Sequence, residues 1–336
     1  MSSKPTVGRR SRGRRATVIV ATTLLLAVTA CGSDSVDSGA ADDGGTSDEL
    51  ITLDMAVVPA ATFAPVFVGV SEGIFEKHGI DLKVDVGGLA PTVFPRILSG
   101  EVDFGANTWG TLVTAAEQGL PLVGIAPVDA GGTSPEDDYQ GVVAAPGGVT
   151  DVMELEGKTV GVPTLESFTD AQVRSVLGEA GVDVSKLKFI ALPFPDMPGA
   201  ISSGQVDAVG VVEPFFSVLK AGGATSLTSL SRGQLMGSIV ASKQMVAERP
   251  DDVKRFQEAM LEALEFSIDN PDAVRAALVD GLGMKAETAD AITLPMWKTS
   301  VSADEVQEIS DMMSDVGFVD ERVDAADIMA SFPLED

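Results

Sequence analysis

The stretch "ILSGEVDFG" (97–105) returns later in the chain as "ISSGQVDAVG" (201–210). Ile97 matches Ile201, Ser99 matches Ser203, Gly100 matches Gly204, Val102 matches Val206 and Asp103 matches Asp207. Each copy reads as a helix end, a glycine stop and then a strand. Upstream, "EKHGIDLKVDV" and "GEAGVDVSKLKFI" share a helix end, a glycine and a strand. Solenoid repeats run to about 20–50 residues, and this period is much longer. It fits two similar α/β lobes.

Outward from that pair, strand and helix patterns alternate from Leu50. "ITLDMAV" (51–57) and "IDLKVDV" (80–86) read as strands, and "TVFPRILSG" as a short helix interrupted by Pro95. "VDFGA", "PLVGIAPV", "GVVAA", "GKTVGVP", "KLKFIAL", "DAVGVV" and "GSIVAS" supply further strands, with the turn-rich patch "GGTSPEDDYQ" between the second and third. "TDAQVRSVLGEAG" predicts a helix with Val173, Val176, Leu177 and Ala180 on one face and Gly181 as its stop. "DDVKRFQEAMLEALEFSI" predicts the clearest helix, buried through Val253, Phe256, Met260, Leu264 and Ile268. Strands alternating with helices imply mostly parallel sheets covered on both faces.

The N-terminus carries a different signal. Lys4, Arg9, Arg10, Arg12, Arg14 and Arg15 precede an uncharged run, "ATVIVATTLLLAVTA" (16–30), shorter than the roughly 20 residues that span a bilayer. A basic region, a short apolar core and small residues read as an export signal over 1–30. "VTAC" (28–31) resembles the lipobox of bacterial lipoproteins, and that resemblance implies cleavage before Cys31 and lipid attachment to its sulfur. Residues 31–49, "CGSDSVDSGAADDGGTSDE", have the composition of a disordered tether.

Composition excludes several functions. There are 23 Lys and Arg against 50 Asp and Glu, and the net charge of −27 opposes binding to nucleic acid or anionic lipid. One Cys and one His rule out an internal disulfide and zinc sites of the Cys/His type. His78, in "FEKHGID", reads as a surface helix end. The acids lack calcium-loop spacing, and no P-loop pattern is present, so neither metal nor cofactor is expected.

"FAPVFVGVSEGIFEKHGIDLKV", "GEVDFGANTWG", "LEGKTVGVPTLESFTDAQVRSVLGEAGVD", "PGAISSGQVDAVGVVEPF" and "VKRFQEAMLEAL" stand in the order seen in periplasmic solute-binding proteins of ABC importers. Over roughly residues 50–280 the chain resembles the nitrate/sulfonate/taurine and thiamine-precursor group (NMT1/THI5-like, SsuA-like). The resemblance implies a type II-like periplasmic-binding-protein fold, two α/β lobes joined by two crossing strands that act as a hinge. Lobe 1 is expected at 50–143 plus 237–336 and lobe 2 at 144–236. It also implies a monomeric non-enzyme on the outer face of the cell membrane, with an ABC permease and its ATPase as partners. A ligand-occupied sensor is one alternative. A THI5-like pyrimidine-synthesis enzyme is another, but that group's motif is rich in cysteine and this chain has a single Cys.

In open parallel sheets, ligands lie beyond the C-terminal strand ends, where helices begin. Four loops occupy such places: 58–65, 107–111, 163–170 and 213–216. They hold no Lys or Arg but contain Phe63, Trp109, Phe168, Phe215 and Phe216. Phe216 reads as core. The expected ligand-binding residues are Thr62, Phe63, Asn107, Thr108, Trp109, Thr164, Glu166, Ser167, Phe168, Thr169, Glu213 and Phe215. Trp109 is expected to stack on the ligand and Glu213 to accept from an N–H group. Without a cation the loops favour a neutral or amino-bearing organic solute, a heterocyclic vitamin precursor first and a sulfonate second. An Arg reaching in from elsewhere, Arg96, Arg174 or Arg232, would alter that reading.

Cys31→Ala should release the protein from membranes or leave an uncut precursor, with little change in stability. Detergent partitioning of wild type and variant checks this; a variant that is still processed and still partitions like wild type contradicts it.

Overall fold

The computed structural model describes residues 50–87, 90–134 and 138–331. The signal, the tether and Cys31 lie outside the described residues. Twelve strands are present in that part of the chain: β1 Ile51–Val57, β2 Ile80–Val86, β3 Phe104–Thr108, β4 Leu122–Pro127, β5 Asp129–Ala130, β6 Gln140–Ala144, β7 Thr159–Val162, β8 Lys188–Ala191, β9 Ala208–Val212, β10 Thr225–Ser229, β11 Gly237–Ser242 and β12 Met296–Trp297. Two five-stranded sheets have the orders β2-β1-β3-β11-β4 and β10-β6-β9-β7-β8. Read from its other edge, the second sheet repeats the first: β8-β7-β9-β6-β10. In each, the fourth strand runs antiparallel to its neighbours, β11 in one and β6 in the other. Both odd strands are the first to follow a passage of the chain from one sheet to the other.

The repeated sequence motif occupies equivalent places. Gly100 and Gly204 end helices Ala90–Ser99 and Met197–Ser203 with φ of 74° and 72°, a left-handed conformation that costs glycine little. Asp103 then accepts the Asp54 N–H at 2.9 Å and returns its own N–H to the Asp54 carbonyl at 2.8 Å. Asp207 makes the same pair of bonds with Thr159, both at 2.9 Å. The repeated aspartate therefore adds a rung between β3 and β1, and between β9 and β7. It sits there because a carboxylate at the mouth of a strand can satisfy an N–H beyond the end of the ladder.

Helices flank both sheets. Helix Pro250–Asp269 lies on one face of the first, where Phe256 stacks on Phe104 with ring centroids 4.1 Å apart. Helices Trp109–Glu117 and Ala303–Asp315 share the other face. Val253, Phe256, Met260 and Leu264 are buried as the pattern predicts, but Ile268 is 50% exposed. Successive steps of four residues overshoot the helical turn, so the buried stripe drifts and reaches the sheet at Ser267 instead. In helix Phe168–Glu179, Val173, Val176 and Leu177 are buried, while Ala180, just past its end, is exposed.

The chain passes between the sheets twice, at 128–139 and 230–236. These segments pair with each other: the Val128 N–H donates to Gly237, Met236 to Asp129, Gly131 to Gln234 and Gly233 to Gly132, at 2.8–3.0 Å. β12 adds a third strand beside β5. The boundary expected at residue 143 falls inside β6, all five residues of which pair in the second sheet. The first passage is thus complete before Gln140.

Asp207→Ala should lower stability by about 0.5–1.5 kcal/mol, the usual net value of one hydrogen bond, and Asp103→Ala by somewhat more, since Asp103 also accepts from Arg249 at 2.6 Å. Urea unfolding tests this, and loss in one variant alone would break the equivalence of the two motifs.

Candidate functional site

The two sheets present their C-terminal strand ends to the same junction. β3 leads into helix Trp109–Glu117, capped by Thr108 accepting from the Thr111 N–H. β7 leads into helix Phe168–Glu179, capped by Ser167 accepting from the Asp170 N–H. Phe168 reaches across the junction, and its ring lies so close to Gly110 that a Cβ there would fall 2.1 Å from it. Arg174, on the same helix, sits over Phe318 at 5.1 Å. Glu213, past the end of β9, accepts the Thr293 N–H at 3.2 Å. These contacts hold the two halves together in this structure.

The crossing segments contain two buried aspartates. Asp129 accepts from the Gly237 N–H at 2.8 Å, from the Tyr139 hydroxyl and from Thr62 Oγ1 at 3.3 Å. Burial pushes its pKa up to about 7, against those three donors. Asp138 accepts from the Ser229 hydroxyl, from Ser231 Oγ at 2.7 Å and from the Gly132 and Ser231 N–H groups at 3.3 Å. "GGTSPEDDYQ", which reads as a turn, thus carries two side chains that bind the crossings together.

Several expected ligand contacts have other work. Trp109 is fully buried and packs over Gly124 of β4, so it belongs to the core of the first half instead of stacking on a ligand. Phe63 is buried in the other core of that half. Phe216 is core, as the sequence predicts, and Phe215 is half-buried and stacks on Phe194. Thr164 and Glu166 are exposed; the Glu166 N–H donates to Asp170. Thr169 is half-buried. Both Glu213 oxygens are engaged, by Ser217 and Thr293, and burial raises its pKa against those donors. It is a latch between halves in this state and has no oxygen free of a donor. His78 is partly buried and meets Glu262 at 2.9 Å. Arg96, Arg174 and Arg232 are each bound to carboxylates: Asp85 and Glu101, Asp170, and Glu179.

Asn107 is the expected residue that stays open. It is 4% exposed; its Oδ1 accepts the Thr108 N–H, and its Nδ2 has no partner. Directly opposite in register stands Ser238 of β11, fully buried with an unpaired hydroxyl. Gln140 and Gln172, both fully buried, direct Nε2 to the Met236 thioether at 3.3 and 3.0 Å and leave Oε1 unpaired. Trp109 Nε1 is unpaired as well. Gln140 and Gln172 meet at the Met236 thioether, and the Met236 carbonyl accepts the Trp109 N–H at 3.0 Å. An unsatisfied buried polar atom costs about 1–3 kcal/mol, and native interiors hold few. Asn107 and Ser238 belong to the first sheet, Gln140 to the second and Gln172 to a helix that flanks the second. Sequence reading missed Gln140, Gln172 and Ser238. Gln172 was detectable, since it lies four residues before Val176 on an apolar stripe.

Two sheets of one topology, each mostly parallel and flanked by helices, with two crossing segments between them, define the two-lobed periplasmic-binding-protein fold. The chain belongs to the NMT1/THI5-like family, whose model matches residues 60–274. A protein of Brucella abortus named "Putative binding protein" is 28% identical over 207 residues; the match covers 60% of this chain and 62% of that protein's length, less than two thirds of it. The riboflavin-binding protein RibY of Chloroflexus aurantiacus is 24% identical over 83% of this chain and 84% of its own. Among solved structures, the alkanesulfonate-binding protein SsuA of Xanthomonas axonopodis bound to MOPS superposes with a TM-score of 0.69 at 16% identity, covering 83% of this chain and 98% of that one. The structural likeness speaks for the fold.

Folded Asp129 holds a proton between about pH 3.8 and about pH 7 that the unfolded chain has released. Stability from this group is therefore greatest at the acid end of that window, falls as pH rises through it and is flat above. Urea midpoints measured from pH 5 to pH 8 should decline, and Asp129→Asn should flatten the decline. An unchanged slope in the variant contradicts the assignment.

Proposed function

We propose that this chain is an extracytoplasmic solute-binding protein, held to the membrane through lipid on Cys31, that captures a small organic solute between its lobes and delivers it to an ABC permease. The observation that carries this reading is the cluster of buried, unpaired polar atoms where the strand ends of the two sheets meet. Family membership and relatives named as binding proteins support it, and they favour binding over catalysis.

The mechanism follows from the geometry. The lobes turn about the paired segments 128–139 and 230–236, and a solute contacting both lobes favours the closed form. Only a difference in affinity between open and closed states shifts that balance. Closure is already assisted by Phe168 on Gly110 and by Glu213 at Thr293. The permease then recognises the closed pair of lobes.

The solute is a heterocyclic vitamin precursor in the first place, with a sulfonate second. Oxyanions find little here, since the three arginines that might have served them are bound to carboxylates. A buried unpaired charge costs several kcal/mol.

Mass spectrometry of the mature protein, purified without denaturant from cells that produce it, should reveal a stoichiometric organic solute that is lost on unfolding. Protein that carries no solute and binds none from a broad metabolite mixture would refute the reading.

A further inference from the structure

The unpaired atoms have a donor and acceptor pattern of their own. Asn107 offers an N–H, Gln140 and Gln172 each offer a carbonyl oxygen, and Ser238 offers a hydroxyl that serves either way. The four side chains come from β3, β6, helix Phe168–Glu179 and β11, so both sheets contribute. Asn107 faces Ser238 across the β3–β11 register, and Gln140 and Gln172 meet at one thioether. Each is at least nine-tenths buried.

None of the four carries charge, and the neighbouring charged groups are occupied. Asp129 has three donors, and Arg174 is held by Asp170 at 2.8 Å. Gln140 turns its N–H to the Met236 thioether, and Gln172 Nε2 donates both to it and to Gln234 Oε1 at 3.3 Å, so each amide leaves its carbonyl oxygen as the free end. An anion entering this cluster meets no cation, and a plain hydrocarbon leaves every one of these atoms unsatisfied. What complements them is an acceptor for Asn107 beside N–H donors for the two glutamines.

We infer that Asn107, Gln140, Gln172 and Ser238 form the recognition set for an uncharged carbonyl–N–H edge, as found on lactams, imides and ureides. This rests on the solute-binding reading and narrows it. Asn107 Nδ2 donates to the solute carbonyl, and the Gln140 and Gln172 carbonyls accept from its N–H groups. Ser238 serves whichever neighbour lies beside it. Met236 packs on the solute's apolar part.

The test is calorimetry on the mature protein, freed of bound solute, with uracil and riboflavin as imide probes and taurine and nitrate as anions. At least one imide probe should bind and neither anion should. Gln172→Leu and Gln140→Leu should each weaken the imide probe tenfold or more. Gln140→Leu removes a buried amide whose N–H meets a thioether, so it should not lower the unfolding midpoint of the solute-free protein; Gln172→Leu also removes the bond to Gln234 and is read by affinity. A purely structural glutamine would give the reverse, a lower midpoint with affinity unchanged, and that result overturns the inference. So does binding of taurine or nitrate without the imides, which leaves the solute-binding reading intact. If none of the four probes binds, the solute carried from the cell decides: a carbonyl–N–H edge on it supports the inference, and its lack overturns it. Absence of any bound solute overturns the wider reading too.

Discussion

The structure depends on the pairing of two chain segments that run between the two five-stranded sheets. Residues 128–132 and 233–237 bond to each other, and two buried carboxylates reinforce the pairing. Asp129, in the first segment, holds the Gly237 N–H; Asp138, near the end of the first crossing, holds Ser229 at the end of β10 and Ser231 in the second crossing. Burying carboxylates is costly unless each oxygen has donors. Here each has at least three donors, some from its own segment and some from the other. Were the segments to separate, the carboxylates would lose those partners, so the crossing resists fraying.

The halves then touch at a few discrete places: an aromatic ring on a bare glycine, a guanidinium over a ring, a carboxylate at an N–H. These are small contacts compared with the cores on either side. Phe168 and Ala171 also join the apolar cluster of Trp109, Leu112, Val306 and Ile309, so one side of the contact is apolar. On the proposed reading, a matching solute would satisfy the unpaired amides when the halves close.

Much of the fold was legible in the sequence. β1 and β2 coincide with "ITLDMAV" and "IDLKVDV", and the repeated motif marked two equivalent helix–strand junctions in two equivalent sheets. Alternation and glycine stops are local properties, and local reading recovers them. The site was legible only as a place. The four loops do lie at strand ends, but which side chain faces the junction depends on partners distant in sequence. Trp109 turns inward because Gly124 leaves room for its ring, and Glu213 is occupied because Thr293 arrives from the C-terminal region. Asp138 and Tyr139 read as turn residues because their burial is created by residues 229–237. Gln140 and Ser238 sit on the two antiparallel strands, whose places in the sheets no local pattern announces.

The claim most in need of direct measurement is that solute draws the two sheets together about the crossing. Spin labels at Lys83 on β2 and Lys188 on β8, both exposed and on edge strands, report the separation of the halves once Cys31 is replaced. The account predicts a longer, broader distance distribution for protein stripped of solute, and a shorter, narrower one when the solute recovered from the cell is restored. Identical distributions with and without saturating solute would contradict it and leave a rigid pocket in place of a closing pair of lobes.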